Sequence, residues 1–210
     1  MADIKTIIFD LGGVYFTDGT KQAVEIISKN YNIPEELVSQ VFRGQIGTDY
    51  REGTITHSEF WEKAKELWQR TELSSEELAQ IWLNGYKPIK GTVEIIEGLK
   101  KANYQLLFLS DNVQERVDYL EEKYNFLSNF EDGIFSHIAK VRKPNTEIYE
   151  MALKKSSNPA ENCVYVDDKA DLLVPATELG METIHFTSPE ELEKRLVALG
   201  VNWDRELEER

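Results

Sequence analysis

The sequence predicts an α/β fold: a doubly wound, Rossmann-like parallel sheet core with a small all-helical cap inserted after the first strand. Three observations predict it. Short apolar runs recur that are continuous rather than alternating, as strands buried on both faces are. From residue 91 onward a helical pattern separates each run from the next. Residues 17–88, by contrast, hold helical stripes and no strand pattern.

The strands are expected at residues 6–9, 104–109, 133–135, 163–166 and 182–186. In the inserted block Ala23, Ile26 and Ile27 form one stripe, and Leu37, Val38 and Val41 a second. Phe60, Trp61, Ala64, Leu67 and Trp68 form a third, and Leu78, Ile81, Trp82 and Leu83 a fourth. Thr56 with Glu59 and Ser74 with Glu77 both fit a capping box. Ser188-Pro189 opens a helix with proline at its first position, and Asn145 or Thr146 opens another. Pro88 and Gly91 mark the return from the insertion. The core is therefore assigned to residues 1–16 and 89–201, the cap to 17–88 and a charged tail to 202–210, with Trp203 docking.

Of the 210 residues, 41% are hydrophobic, enough to bury a real core. The formal net charge of −14 repels nucleic acid and anionic lipid, so neither is an expected partner. Cys163 is the single cysteine, which excludes an intramolecular disulfide; it lies in an apolar run as a buried thiol. No leader pattern precedes the first strand, and no apolar stretch approaches the ~20 residues of a membrane helix. A cytoplasmic location is expected.

Three strands end in polar residues: Phe9 leads into Asp10, Leu109 into Ser110-Asp111-Asn112, and Val166 into Asp167-Asp168. Ligands of open parallel sheets bind beyond the carboxyl ends of the strands, so these residues should converge. Lys143, before a helix, is placed to join them. Asp10, Asp167 and Asp168 bring three negative charges, which repel unless cations compensate. Mg²⁺ and Lys143 supply the balance, Mg²⁺ because every candidate ligand is a hard oxygen. Such a site can accept a phosphate and set a carboxylate nucleophile beside it.

Four motifs in this order identify a resemblance. They are Asp10-Leu11-Gly12-Gly13-Val14, then Leu109-Ser110-Asp111-Asn112, then Arg142-Lys143-Pro144 with Glu147-Ile148-Tyr149, then Tyr165-Val166-Asp167-Asp168 with Glu178-Leu179-Gly180-Met181. The chain resembles the haloacid dehalogenase superfamily of hydrolases, in its phosphatase branch with a helical cap. The resemblance implies a small phosphorylated metabolite as substrate and Mg²⁺ as cofactor. It implies that Asp10 is nucleophile and metal ligand, that Gly12 gives its carbonyl to the metal, and that Asp168 binds the metal. Asp167 and Asp171 would support it from behind. Ser110 and the N–H of Asp111 would hold the phosphate together with Gly13 and Asn112, and Lys143 would bridge nucleophile and phosphate.

Three positions depart from the family pattern. Gly12 stands where phosphatases carry the aspartate that protonates the leaving group. Leu172 stands where asparagine or aspartate is usual, with Asp171 adjacent, and Asn145 stands where aspartate is common. Good leaving groups should therefore be favoured. The first motif is similar to that of a bacterial α-D-glucose-1-phosphate phosphatase, which implies an anomeric sugar phosphate. Asp18 and His57 are candidate replacement donors. Two other readings compete: a binding or regulatory protein that has lost turnover, and a 2-haloacid dehalogenase, which Asp167-Asp168 speaks against. Arg43 with Tyr50 and Arg51 could recognise a substrate anion, although solvated surface is the favoured reading, and His137 and His185 are expected to be structural.

Overall fold

Thr6–Phe9 (β1) is buried along its whole length, so it must be flanked on both edges and covered on both faces. It is. In the computed structural model, which describes residues 3–203, β1 is the centre of a five-stranded sheet. The other strands are β2 (Gln105–Ser110), β3 (Asp132–Phe135), β4 (Cys163–Asp167) and β5 (Glu182–His185). The order is β3-β2-β1-β4-β5, and every pairing is parallel. Phe9 sits level with Phe108 and Val166; β4 runs one residue further, to Asp167, and β2 two, to Ser110, so the polar ends of all three strands lie at the same edge of the sheet.

Between β1 and β2 lie α1 (Gly19–Tyr31), α2 (Glu35–Arg43), α3 (Gln45–Arg51), α4 (His57–Leu67) and α5 (Ser75–Asn84), then α6 (Lys90–Lys101), which returns to the sheet. After β2 come α7 (Gln114–Tyr124), α8 (Ser136–Ala139), α9 (Thr146–Lys155), α10 (Val174–Glu178) and α11 (Pro189–Ala198). All five expected strands are present to within a residue or so of their expected ends.

The inserted helices share an aromatic core. Phe42, Phe60, Trp61 and Trp82 are buried and pack ring on ring, and Tyr50 stacks on Phe60. Thr56 and Glu59 form the full reciprocal capping box of α4. At α5 only half of the expected box forms: Ser74 accepts from the Glu77 N–H, while the Ser74 hydroxyl turns to Glu76. Asn145 and Ser188 cap α9 and α11. Trp203 packs over α6, where a Cβ at Gly98 would meet its ring at 2.4 Å. The remainder of the charged tail, from residue 204, lies outside the described residues.

The chain crosses between sheet and inserted helices twice, and the two crossings touch. The Thr17 N–H bonds the Lys87 carbonyl, and the Ile89 N–H bonds Tyr15. A Cβ at Gly85 would lie 2.7 Å from the Gly19 carbonyl oxygen, and one at Gly19 would lie 2.3 Å from the Tyr86 ring. Glycine is required at both places because a side chain has no room, and the close approach fixes the ring of Tyr86. Gly19→Ala should therefore cost about 1–3 kcal/mol, the range for overpacking a tight site, read as a lower urea midpoint at unchanged slope.

Candidate active site

The strand tips meet as the topology requires. Asp10 follows β1, its N–H bonded to the Val166 carbonyl at 2.8 Å, and its residue is only 5% exposed. Lys143, on the segment leading into α9, is 3% exposed. Its Nζ lies 3.0 Å from Asp10 Oδ1 and 2.7 Å from Asp167 Oδ2. Tyr165, on β4, donates its hydroxyl to Asp167 Oδ2 at 2.5 Å and accepts from Lys143 Nζ at 3.0 Å. The Lys169 N–H donates to Asp167 Oδ1 at 2.9 Å. Both oxygens of Asp167 are thus committed to the protein.

Asp168 differs. Its Oδ1 is buried and has no hydrogen-bond partner among the described residues; the nearest cation, the Lys169 ammonium, stands 3.8 Å away. A lone buried carboxylate oxygen is costly unless something fills the space beside it. Asp10, Asp167 and Asp168 can each place one oxygen so that all lie within 4.8 Å of one another. Three carboxylates against two ammoniums, Lys143 and the half-exposed Lys169, leave a formal charge of −1. That charge, the oxygen donors and the orphaned atom fit a hard divalent cation. Gly13 makes the cradle: its φ of +96° suits glycine, and a Cβ there would lie 2.5 Å from the Asp168 carboxylate carbon.

The electrostatics follow from burial and charge. Burial raises Asp10 to about 7, against the pull of Lys143. Burial also raises Asp168. In Asp167 burial acts the same way, but Lys143, Tyr165 and the Lys169 N–H overcome it and hold the carboxyl below its usual range. Burial alone would lower Lys143, yet Asp10 and Asp167 outweigh it and hold the ammonium well above its ordinary value.

A cavity of about 520 Å³ opens over Asp10, between the sheet and the inserted helices. Gly12, Ser110, Asp111, Asn112 and Lys143 line it, as does the exposed Asp171. The Asp111 carboxylate accepts from Arg142 Nε and from the Lys143 N–H, tying the second motif to the third. Asn112 is already occupied. Its N–H donates to Ser136 Oγ, and its Oδ1 accepts from the Val113 N–H and Arg116 Nε. Asp171 lies outside the group of clustered carboxylates. Leu172 is buried and offers no ligand atom.

Several wall residues were not legible in the sequence. Arg51, for which solvated surface is the favoured reading over an anion contact, is 9% exposed; it donates to the carbonyls of Phe42 and Gly47 and lines the cavity with Arg43, while Tyr50 is buried because its ring stacks on Phe60. Burial, then the neighbouring Arg116 and Arg142, lowers it to about 10. Arg116, Tyr86 and Thr20 also line the cavity and were not anticipated. Tyr86 immediately precedes the Lys87-Pro88 return segment, and that position was the one available signal. Of the expected donors, Asp18 lines the cavity but caps α1 through the Lys21 N–H. His57 is not on the wall; it pairs with Glu115 at 2.7 Å. His137 bonds Asn112 and Gln114, and His185 the Asp168 carbonyl.

Comparison with known proteins agrees with this geometry. Residues 4–176 match the family of haloacid dehalogenase-like hydrolases. D-ribitol-5-phosphate phosphatase of Bacteroides thetaiotaomicron is 26% identical, covering 97% of each chain. A sesquiterpene phosphatase of Aspergillus oryzae is 25% identical over 87% of this chain and 90% of that one. Among solved structures, a haloacid dehalogenase family enzyme of Bacteroides thetaiotaomicron in complex with magnesium and inorganic phosphate superposes with a TM-score of 0.73. It is 22% identical, covering 88% of this chain and 94% of that one. L-2-haloacid dehalogenase of Xanthobacter autotrophicus superposes at 0.62, 18% identical, over 95% and 84%. With its parallel sheet, its strand-tip carboxylates and a family match over most of its length, the chain belongs to the haloacid dehalogenase-like hydrolases.

Proposed function

We propose that this chain is a magnesium-dependent phosphatase that works through an aspartyl-phosphate on Asp10. The observation that carries the reading is the clustering of Asp10, Asp167 and Asp168 oxygens, left at −1 by Lys143 and Lys169, together with the buried Asp168 oxygen that has no hydrogen-bond partner among the described residues. Phosphatases among the relatives, and a structural neighbour holding magnesium and inorganic phosphate, support it.

Each residue has a task. Asp10 presents a carboxylate oxygen to phosphorus, and Lys143 Nζ, 3.0 Å from that carboxylate, fixes its direction. Ser110 and the Asp111 N–H receive the equatorial phosphoryl oxygens. Asp167, with both oxygens occupied, holds Lys143 in place. Asp10, Asp168 and the Gly12 carbonyl would hold Mg²⁺, which supplies charge neutralisation at the phosphoryl group when bound. Gly12 brings no acid, so leaving groups that depart readily are favoured, among them acyl, aryl and anomeric sugar phosphates. We take the physiological substrate to be a small phosphorylated metabolite and the setting to be the cytoplasm.

A protein that binds phosphate without turnover is the alternative, favoured by Gly12 and by Leu172 in place of a polar residue. The buried Asp168 oxygen without a hydrogen-bond partner among the described residues sets the site apart from a dehalogenase, which needs no cation.

Three outcomes are expected. Phosphate release from acetyl phosphate and p-nitrophenyl phosphate requires Mg²⁺, stops on chelation, and falls at least ~10³-fold in Asp10→Asn. Release that survives Asp10→Asn defeats the covalent route, and no release from any substrate favours the binding protein. At a hundredfold excess over its dissociation constant Mg²⁺ stabilises the wild type by about 2.7 kcal/mol in thermal melts, and Asp168→Asn and Gly13→Ala lose most of that gain. Gly12→Asp has room, since its Cβ meets only Tyr86 Cε1, at 3.8 Å. It should raise kcat/KM on alkyl phosphates by about tenfold or more while leaving aryl phosphates nearly unchanged.

A further inference from the structure

The space that an aspartate at position 12 would fill is not empty of proton donors. Tyr86 Cε1, the ring carbon beside the one bearing the hydroxyl, lies 3.8 Å from where the Cβ of residue 12 would stand. The phenol and the missing carboxyl therefore address one region of the cavity. Tyr86 is 5% exposed and lines that cavity, so it is withdrawn from bulk water and stands on a wall that a bound ligand would meet.

Its hydrogen bonds can be counted. Arg116 Nη1 donates to the Tyr86 oxygen at 2.5 Å. Thr20 Oγ1 lies 2.7 Å from the same oxygen. Trp82 Nε1, which can only donate, gives its proton to Thr20 Oγ1 at 3.1 Å. Two hydroxyl protons remain, one on Thr20 and one on Tyr86, for a single Thr20–Tyr86 contact. Whichever way that contact points, one proton has no acceptor among the described residues, and both residues line the cavity. If Thr20 donates to Tyr86, the phenolic proton is the one left to face the ligand.

We propose that Tyr86 is the proton donor to the leaving group, doing from the cap-return segment what Gly12 cannot do from the first motif. The inference rests on the phosphatase reading above. As an Asp10 carboxylate oxygen bonds to phosphorus, the bond from phosphorus to the leaving oxygen breaks, and its electron pair takes the Tyr86 hydroxyl proton. The product departs as an alcohol. Arg116 and Thr20 keep their hydrogen bonds to the phenolate, one of them charge-assisted. A water then attacks the aspartyl-phosphate and gives its proton to the phenolate. The bond from phosphorus to Asp10 breaks, releasing phosphate and restoring both side chains.

The surroundings hold the ring for this work. The Arg116 guanidinium stacks 4.5 Å from the Tyr86 ring centroid and 4.7 Å from that of Trp82. It is itself fixed by Asn112 Oδ1 and the Asp111 carbonyl. The donor is thereby linked to the phosphate-binding motif through one rigid cation. A phenol is intrinsically a weaker acid than a carboxylic acid, so the preference for good leaving groups is softened and not abolished.

The test is a double-mutant cycle read in kcat/KM, which reports steps through leaving-group departure and is blind to later hydrolysis. Tyr86→Phe should lower kcat/KM on an alkyl phosphate by about 10²–10³-fold, and on acetyl phosphate by less than about threefold. In the Gly12→Asp background the same change should cost little, because the two groups serve the same proton. Equal losses on alkyl and acyl phosphates, or additive effects across the cycle, would show a structural tyrosine and overturn the proposal. Wild-type protein inert towards every phosphate ester would instead sink the phosphatase reading along with it. Should Tyr86→Phe fold poorly, a fluorotyrosine placed at position 86 keeps ring and hydroxyl and acidifies the phenol. The dependence of log(kcat/KM) on leaving-group acidity should then become shallower, and an unchanged slope overturns the proposal.

Discussion

The Lys143 ammonium is the constraint on which the site depends. It is buried between Asp10 and Asp167 with a tyrosine hydroxyl in contact. Without it, three carboxylates would share one buried crevice, a state they would leave by taking up protons. Without them, it would be an uncompensated buried cation. The unequal treatment of the carboxylates follows. Asp167 is saturated by the protein and held ionised, so it belongs to the scaffold. Asp10 and Asp168 are pushed up by burial and only partly satisfied, so they are the groups left to act on something brought in.

The sheet supplies this arrangement. Parallel β1, β2 and β4 bring Asp10, Ser110 and Asp167 to the same edge of the sheet. The second layer of control is the pair of crossings to the inserted helices. Gly19 and Gly85 let those segments touch, and their contact wedges Tyr86 over Gly12. The segments that attach the cap thus also shape the catalytic cavity. A small change in how the cap sits would move Tyr86 and Arg116 relative to Asp10.

Legibility in the sequence divided along physical lines. The strands were readable because burial on both faces leaves continuous apolar runs such as Ile7-Ile8-Phe9. Asp10, Lys143 and the Asp167-Asp168 pair were readable because each lies at a strand tip or helix approach, where local pattern predicts position. The residues themselves did not distinguish Asp167 from Asp168; only the resemblance set the two apart. What separates them physically is the hydroxyl of Tyr165, the Lys169 N–H and Lys143 converging on Asp167 alone. Arg116 and Tyr86 were illegible, and Arg51 was read first as surface, for a related reason. Charged and phenolic side chains on helices and connectors read as surface, and nothing local says that the cap folds back and buries them.

That the donor should be a phenol and not a second carboxylate has an electrostatic rationale. The cluster is already negative, three carboxylates against Lys143 and Lys169, and a phosphate ester adds negative charge of its own. An aspartate beside Asp10 must stay protonated to act as an acid, and in its ionised form it would add to the repulsion the substrate has to overcome. A tyrosine delivers a proton while neutral and brings no charge at the moment of binding. The negative charge on its oxygen arises only as the leaving group departs, when the Arg116 guanidinium at 2.5 Å is already in place to receive it. Stabilisation that appears only as the bond breaks lowers the barrier without tightening the ground state. The loss of a carboxyl at position 12 is, on this account, a relocation of the proton to a group with a lighter electrostatic cost.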